Sequence, residues 1–233
     1  MFGIHSSNAS NTSRFSRIAA TFGLSPNALY KILEATHACI AGGSALSAFL
    51  NSPMQDGQDI DIWLPTPVSP RDGLLSNYPF EKAAILLIEN FLLASGYMRD
   101  LKAEMDARSG ADTDIEYLRP DADKPDGWVN PFVTTIRRIH RYKNGWDQKI
   151  QIIECYNVSI EHILKSFDLD VCQFFVDRFS GPDLNVRHNH SAEVIERIKN
   201  GIMTPVPNSE FCPGTARTQR RVDKYQARGF KFA

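Results

Sequence analysis

Two aspartates one residue apart, Asp59-Ile60-Asp61, follow a glycine pair in Ala41-Gly42-Gly43-Ser44-Ala45-Leu46 across a loop. Gln58-Asp59-Ile60-Asp61-Ile62-Trp63-Leu64 alternates as a strand does, so the two carboxylates point to one side. Glycines between an apolar run and a helix opening let backbone N–H groups approach a phosphate at the positive helix end. Gly42, Gly43 and Ser44 are therefore candidate phosphate contacts. Asp59 and Asp61 are candidate ligands for Mg²⁺, or Mn²⁺, held with a nucleoside triphosphate (NTP).

The elements that must position these residues are legible nearby. His37-Ala38-Cys39-Ile40-Ala41 reads as a short buried strand over 38–41. Ser44 to Leu50 reads as a helix and Asp59 to Leu64 as a strand. The core face of that strand is marked by Ile60, Ile62 and Leu64, while Trp63 lies on the aspartate side. Ser25-Pro26 is an N-cap followed by proline at the first helical position, opening a helix over 26–36. Glu81 to Ser95 is apolar almost all round and closes on Gly96, which predicts a core helix packed on a sheet.

Further along, Phe132 to Ile139 and Gln148 to Ile153 flank Lys143-Asn144-Gly145-Trp146 and predict a hairpin. Ser159 caps a short helix, Ile160 to Lys165. The apolar run Phe167 to Asp177 reads as a second buried strand, turned back at Gly181-Pro182-Asp183 towards Leu184–Arg187. Ser191 to Lys199 is an amphipathic helix. Residues 1–16 are rich in Ser and Asn and predict a flexible tail. Residues 100–128 predict a surface excursion, with Asp112, Asp114 and Glu116 in a solvated acidic loop. Strands alternate with helices early and pair as a hairpin later, which is an α/β or α+β pattern.

The chain has 233 residues, 42% hydrophobic and 23% charged, enough for one sizeable core. A net charge of −1 excludes a partner chosen by whole-molecule charge, leaving only local patches. Arg137, Arg138, His140, Arg141 and Lys143 form one such patch, expected to steer a triphosphate or an RNA backbone, with a solvated face as the alternative. Arg217, Arg220, Arg221, Lys224, Arg228 and Lys231 form another, interleaved with Tyr225, Phe230 and Phe232 and expected to meet nucleic acid, with a C-terminal helix docked on the domain as the alternative. Cys39, Cys155, Cys172 and Cys212 are widely spaced and read as reduced thiols of a cytoplasmic protein. No apolar run reaches membrane-spanning length. His188-Asn189-His190 has a metal-compatible spacing but no third ligand nearby.

Gly42-Gly43-Ser44, a helix, then Asp59-Ile60-Asp61 on a strand resembles the signature of the DNA polymerase β-like nucleotidyltransferase superfamily. Lys149 to Ile153, Ser166 to Cys172 and Arg221 to Phe230 resemble segments of nucleotidyltransferase-fold proteins of viruses and phages. The resemblance implies a nucleotidyltransferase-like mixed β-sheet flanked by helices, occupying 17–210 between the tail and a basic segment at 211–233. It implies transfer of a nucleoside monophosphate from an NTP to a hydroxyl of RNA or protein, with Asp59 and Asp61 on metal and Arg137 among the substrate contacts. It also implies a third carboxylate on a later strand. The positional match is Gln151, between Ile150 and Ile152, which carries no charge. Glu154 and Asp168 are the nearby substitutes, although Glu154 points opposite to Gln151 on an ideal strand. Where CCA-adding enzymes usually carry Arg-Asp, this chain has Leu46-Ser47-Ala48. A catalytically idle nucleotide-binding module is the alternative that Gln151 raises.

Overall fold

A computed structural model describes residues 13–55, 57–65, 78–108, 136–155, 159–206 and 216–233. Its frame is a six-stranded mixed sheet in the order β3-β4-β5-β2-β1-β6. The strands are β1 (Cys39–Ala41), β2 (Ile60–Pro65), β3 (Met98–Arg99), β4 (Ile136–Lys143), β5 (Lys149–Cys155) and β6 (Phe175–Val176). Within this sheet only β2 and β5 run parallel; its other described pairings are antiparallel. A parallel pair needs a crossover, and here the chain between β2 and β5 supplies it, carrying α4 (Tyr78–Ala94), α5 (Leu101–Arg108) and two sheet strands.

Alternation along β2 and β5 divides the interior into two layers. Ile60, Ile62, Leu64, Ile150 and Ile152 face a cluster formed with α1 (Arg14–Thr21), α2 (Pro26–Thr36) and α4. Trp63, Ile153 and Cys155 face the opposite cluster, formed with α6 (Ile160–Ser166), α7 (Ala192–Lys199) and α8 (Ala216–Gln226). Each fully buried aliphatic side chain contributes roughly 1.5–3 kcal/mol, so the parity of these two strands sets the orientation of the whole sheet. A two-stranded parallel ribbon, β7 (Ile202–Met203) with β8 (Lys231–Phe232), ties the end of the chain to the α7 region. Val222, Tyr225 and Phe230 are buried in the second cluster, so residues 216–233 pack as part of the same body.

Local signals account for the helix starts. Ser25, Ser159 and Ser191 each accept a backbone N–H from the first turn of α2, α6 and α7, and Pro26 occupies the first position of α2.

Several expectations change. The tail expected over 1–16 gives way to α1 from Arg14, because Phe15 is fully buried and Ser13 caps the helix; residues 1–12 lie outside the described residues. The apolar run 167–177 is not one strand. It folds as a 3₁₀ turn over Asp170–Cys172 followed by the two-residue β6, because Asp168 and Asp170 are buried and bonded to partners off the sheet. Helix α4 buries Ala84, Ile88 and Leu92 but leaves Leu86, Leu87 and Leu93 about half exposed, so only one side packs on the sheet. The excursion over 100–128 begins with helix α5; its acidic trio and the first hairpin residues, 132–135, lie outside the described residues, as does Cys212.

Candidate functional site

Strand β1 delivers the chain to Gly42, whose backbone sits at φ 89°, ψ −141°. L-residues rarely adopt that conformation, so glycine is required there. A Cβ on Gly42 would lie 3.8 Å from Asp61 Oδ2, which places the Asp61 carboxylate against the turn. The register agrees, since Ala41 and Asp61 are direct partners across β1 and β2. The Gly42 N–H itself is engaged by the Phe174 carbonyl. Helix α3 (Gly43–Leu50) follows at once, with no side chain capping it. The amides of Gly43, Ser44 and Ala45 precede the first intrahelical bond, from Leu46 N–H to Gly42 O. Ser44 Oγ is buried without a hydrogen-bond partner among the described residues.

Asp59 lies just before β2 and is partly exposed. Its Oδ2 accepts a 2.7 Å hydrogen bond from Gln151 Nε2. Gln151 pairs with Asp61 in the parallel β2–β5 register, so Asp59, Asp61 and Gln151 converge on one wall of a cleft. Glu154 is not brought there. It occupies the opposite face of β5, opposite Leu64, where it is buried and bonded to His140 Nε2. Tyr142 and Glu89 continue that buried polar group, with Tyr142 Oη donating to Glu89 Oε1 at 2.5 Å. Asp168 also stays out of the acidic wall. It is 2% exposed and accepts a 2.7 Å hydrogen bond from Arg221 Nη1, so it holds a cation that lines the cleft. The side chain of Arg137 lies outside the described residues.

The facing wall comes from the C-terminal segment: Arg221, Lys224, Tyr225 and Arg228 all line the same cleft. A Cβ on Gly43 would be 2.8 Å from Arg228 Nη1, so the Arg228 guanidinium rests on the glycine turn. Arg228 is steadied by Gln55 Oε1, 3.1 Å from its Nε, and by the Tyr225 ring at 5.0 Å. The position of this wall had no local signal in the sequence beyond its basic composition. The hairpin patch, by contrast, does not form a single surface. His140 pairs with Glu154, Arg141 is buried and donates to the Ala103 carbonyl, and Lys143 pairs with Asp100 at 3.0 Å.

The floor is aromatic and apolar, with Trp63, Phe167, Ile139 and Ile153. Trp63 and Phe167 meet edge to face at 5.1 Å, and the buried Trp63 indole N–H has no hydrogen-bond partner among the described residues. Cys172 also lines the cleft, but burial pushes its thiol up to about 12, and it donates to Tyr225 Oη. It is therefore a neutral packing group rather than a thiolate nucleophile.

The donor set fits a cation that arrives with phosphates. Asp59 and Asp61 provide two carboxylates, and Mg²⁺ is commonly held by one or two carboxylates with substrate phosphates completing its shell. Among the described residues no group of three or more His, Cys, Asp or Glu side chains converges on a metal position, and this includes His188 and His190. No helix among them is long and apolar enough to cross a membrane, and Cys39, Cys155 and Cys172 are free thiols.

A CCA-adding enzyme in its apo form is similar in structure, with a TM-score of 0.50 at 13% identity, covering 94% of this chain and 40% of that one. A CCA-adding enzyme in complex with CTP gives a TM-score of 0.48 at 12% identity, covering 88% and 38%. This chain thus spans about two fifths of those enzymes' length, and the likeness to the first establishes a nucleotidyltransferase-like fold. No curated protein matches by sequence. Residues 13–187 match the family described as Gad2, Gabija anti-defense 2 family protein. With three quarters of its length in that match, the chain belongs to the Gabija anti-defense 2 family.

Proposed function

We propose that this chain is a nucleotidyltransferase that binds an NTP with a divalent cation in the cleft and passes a nucleoside monophosphate to a hydroxyl of RNA or protein. In this reading it is a polymerase β-like enzyme of viral type working in the host cytoplasm, and the transfer serves the anti-defence role in its family's name. One observation carries the proposal: an acidic wall, Asp59 and Asp61, faces a basic wall, Lys224 and Arg228, across an uncapped helix start. Such a gap suits a ligand that is cationic on one side and polyanionic on the other.

Gly43 and Ser44 donate their backbone N–H groups to phosphate oxygens at the positive end of α3. Arg228 and Lys224 balance the remaining phosphate charge, and Asp168 holds Arg221 in place beside them. Trp63, Phe167 and Tyr225 offer apolar and π surface to a base. Asp59 and Asp61 would hold Mg²⁺, which when bound would polarise phosphoryl oxygens and lower the pKa of an attacking hydroxyl.

The test is incubation with each labelled NTP, Mg²⁺ or Mn²⁺, and mixed RNA or protein acceptors. Transfer of label that disappears in Asp59→Asn and Asp61→Asn supports the enzyme. If no NTP shifts the melting temperature even with Mn²⁺, the phosphate site is refuted. The Gln151–Asp59 hydrogen bond favours a second reading, a module that binds nucleotide without transferring it. Nucleotide binding without label transfer or pyrophosphate release distinguishes that module.

A further inference from the structure

We infer that the cleft takes one divalent cation per chain and that Gln151 is the residue that sets this number. The inference rests on the nucleotide reading above and goes beyond it in naming the metal stoichiometry and its cause.

Two cations about 3.5–4 Å apart repel each other and are held together by anionic ligands around and between them. Asp59 and Asp61 supply two carboxylates, and no third acidic, His or Cys side chain joins them among the described residues. The side chain beside them is Gln151, with its amide nitrogen 2.7 Å from Asp59 Oδ2. A carboxylate only accepts hydrogen bonds, so the amide must turn its NH₂ towards Asp59. That NH₂ is a donor, and an amide turned to offer its carbonyl oxygen supplies a neutral ligand where a second ion needs an anionic one. The NH₂ also occupies an Asp59 lone pair. The acidic substitutes are committed elsewhere, Glu154 to His140 on the far face of the sheet and Asp168 to Arg221. The remaining arrangement suits a single ion held by Asp59 and Asp61 with its other positions filled by phosphate and water.

The same geometry says what Gln151→Glu does. The change is isosteric and places a third carboxylate at hydrogen-bonding distance from Asp59 and beside Asp61. Like charges so close are relieved by a shared proton or by a further cation, and with Mn²⁺ in excess the variant is expected to take a second ion.

Mn²⁺ with a non-hydrolysable NTP analogue is the probe, read by native mass spectrometry for stoichiometry and by electron paramagnetic resonance for coupling between ions. The unmodified chain is expected to hold one magnetically isolated Mn²⁺ with the nucleotide, and Gln151→Glu two coupled ions. Asp61→Asn is expected to weaken Mn²⁺ binding at least tenfold. Two coupled ions in the unmodified chain overturn the inference and leave the nucleotide reading standing. A folded Gln151→Glu that still takes one ion overturns the role of Gln151. Absence of both nucleotide and Mn²⁺ binding overturns the nucleotide reading together with the inference. Should Gln151→Glu fail to fold, Gln151→Asp takes its place: two coupled ions support the role of Gln151 and one ion overturns it, while the count in the unmodified chain decides the stoichiometry.

Discussion

Replacing each of the two adjacent glycines by alanine separates a backbone requirement from a ligand requirement. At Gly42 the added methyl has room, its nearest neighbour being Asp61 Oδ2 at 3.8 Å. The cost is conformational, since φ 89° with ψ −141° is close to a region reserved for glycine. Holding a non-glycine residue in such a region costs about 1–3 kcal/mol. For a chain of this size each kcal/mol lowers Tm by roughly 2–4 °C, so Gly42→Ala should melt roughly 2–12 °C lower. At Gly43 the position is reversed. Its backbone is helical, and an alanine there gains a few tenths to about 1 kcal/mol from helix propensity and lost unfolded-state entropy. Its methyl meets Arg228 Nη1 at 2.8 Å and Gln58 Nε2 at 3.0 Å, both the far ends of side chains. Displacing Gln58 loosens its hydrogen bond to Ser47 Oγ, about 0.5–1.5 kcal/mol, which leaves stability nearly unchanged. Under the proposed function, displacing Arg228 removes a charge-assisted phosphate contact of about 1.5–3 kcal/mol, a loss of roughly 10- to 150-fold in NTP affinity. Thermal melts by circular dichroism and NTP titration by calorimetry read the two effects separately. The reasoning is refuted if Gly42→Ala melts with the unmodified chain, or if Gly43→Ala binds NTP with unchanged Kd.

Other outcomes follow from the same geometry. Asp168→Ala leaves Arg221 without its buried partner and should cost about 3–5 kcal/mol in urea unfolding, whereas a loss under 1 kcal/mol would show the pair to be incidental. Glu154→Gln should lower Tm through the His140 bond, by about 1–3 kcal/mol of stability, while leaving NTP affinity unchanged. A tenfold weaker Kd in that variant would contradict its place on the far face of the sheet. Burial holds His188 and His190 below the ordinary histidine value of 6.5. Their neutral forms therefore stabilise the fold above that pH, and the contribution is lost as pH falls through their lowered folded values. Tm should drop between pH 7 and pH 5, and His188→Gln with His190→Gln should flatten that decline.

The turn and the two aspartates were readable in the sequence because their cause is local. Glycine is the residue that accepts the backbone of Gly42, and alternation alone puts Asp59 and Asp61 on one face with Ile60 and Ile62 on the other. The serine-capped helices were readable for the same reason, since a cap and the amide it serves lie within one turn. Other features depend on residues far apart in the chain. The apolar run 167–177 carries a strand pattern, yet Asp168 and Asp170 are drawn to Arg221, Arg197 and Thr204, and those partners bend the backbone into a 3₁₀ turn. Helix α4 has leucines all round, yet Ala84, Ile88 and Leu92 are buried in the layer shared with α2 and the sheet while Leu86, Leu87 and Leu93 stay about half exposed.

The sequence by itself determined that a glycine turn and a carboxylate pair lie on adjoining elements, because strand parity and glycine backbone freedom are properties of a few consecutive residues. Only the tertiary structure decided what surrounds them. The parallel register of β2 and β5 sets Gln151 against Asp59, and the packing of Tyr225 and Phe230 brings Arg228 onto Gly43 from the far end of the chain. Both contacts join segments many residues apart. They exist because burial of the two apolar faces of one sheet fixes where those segments come to rest.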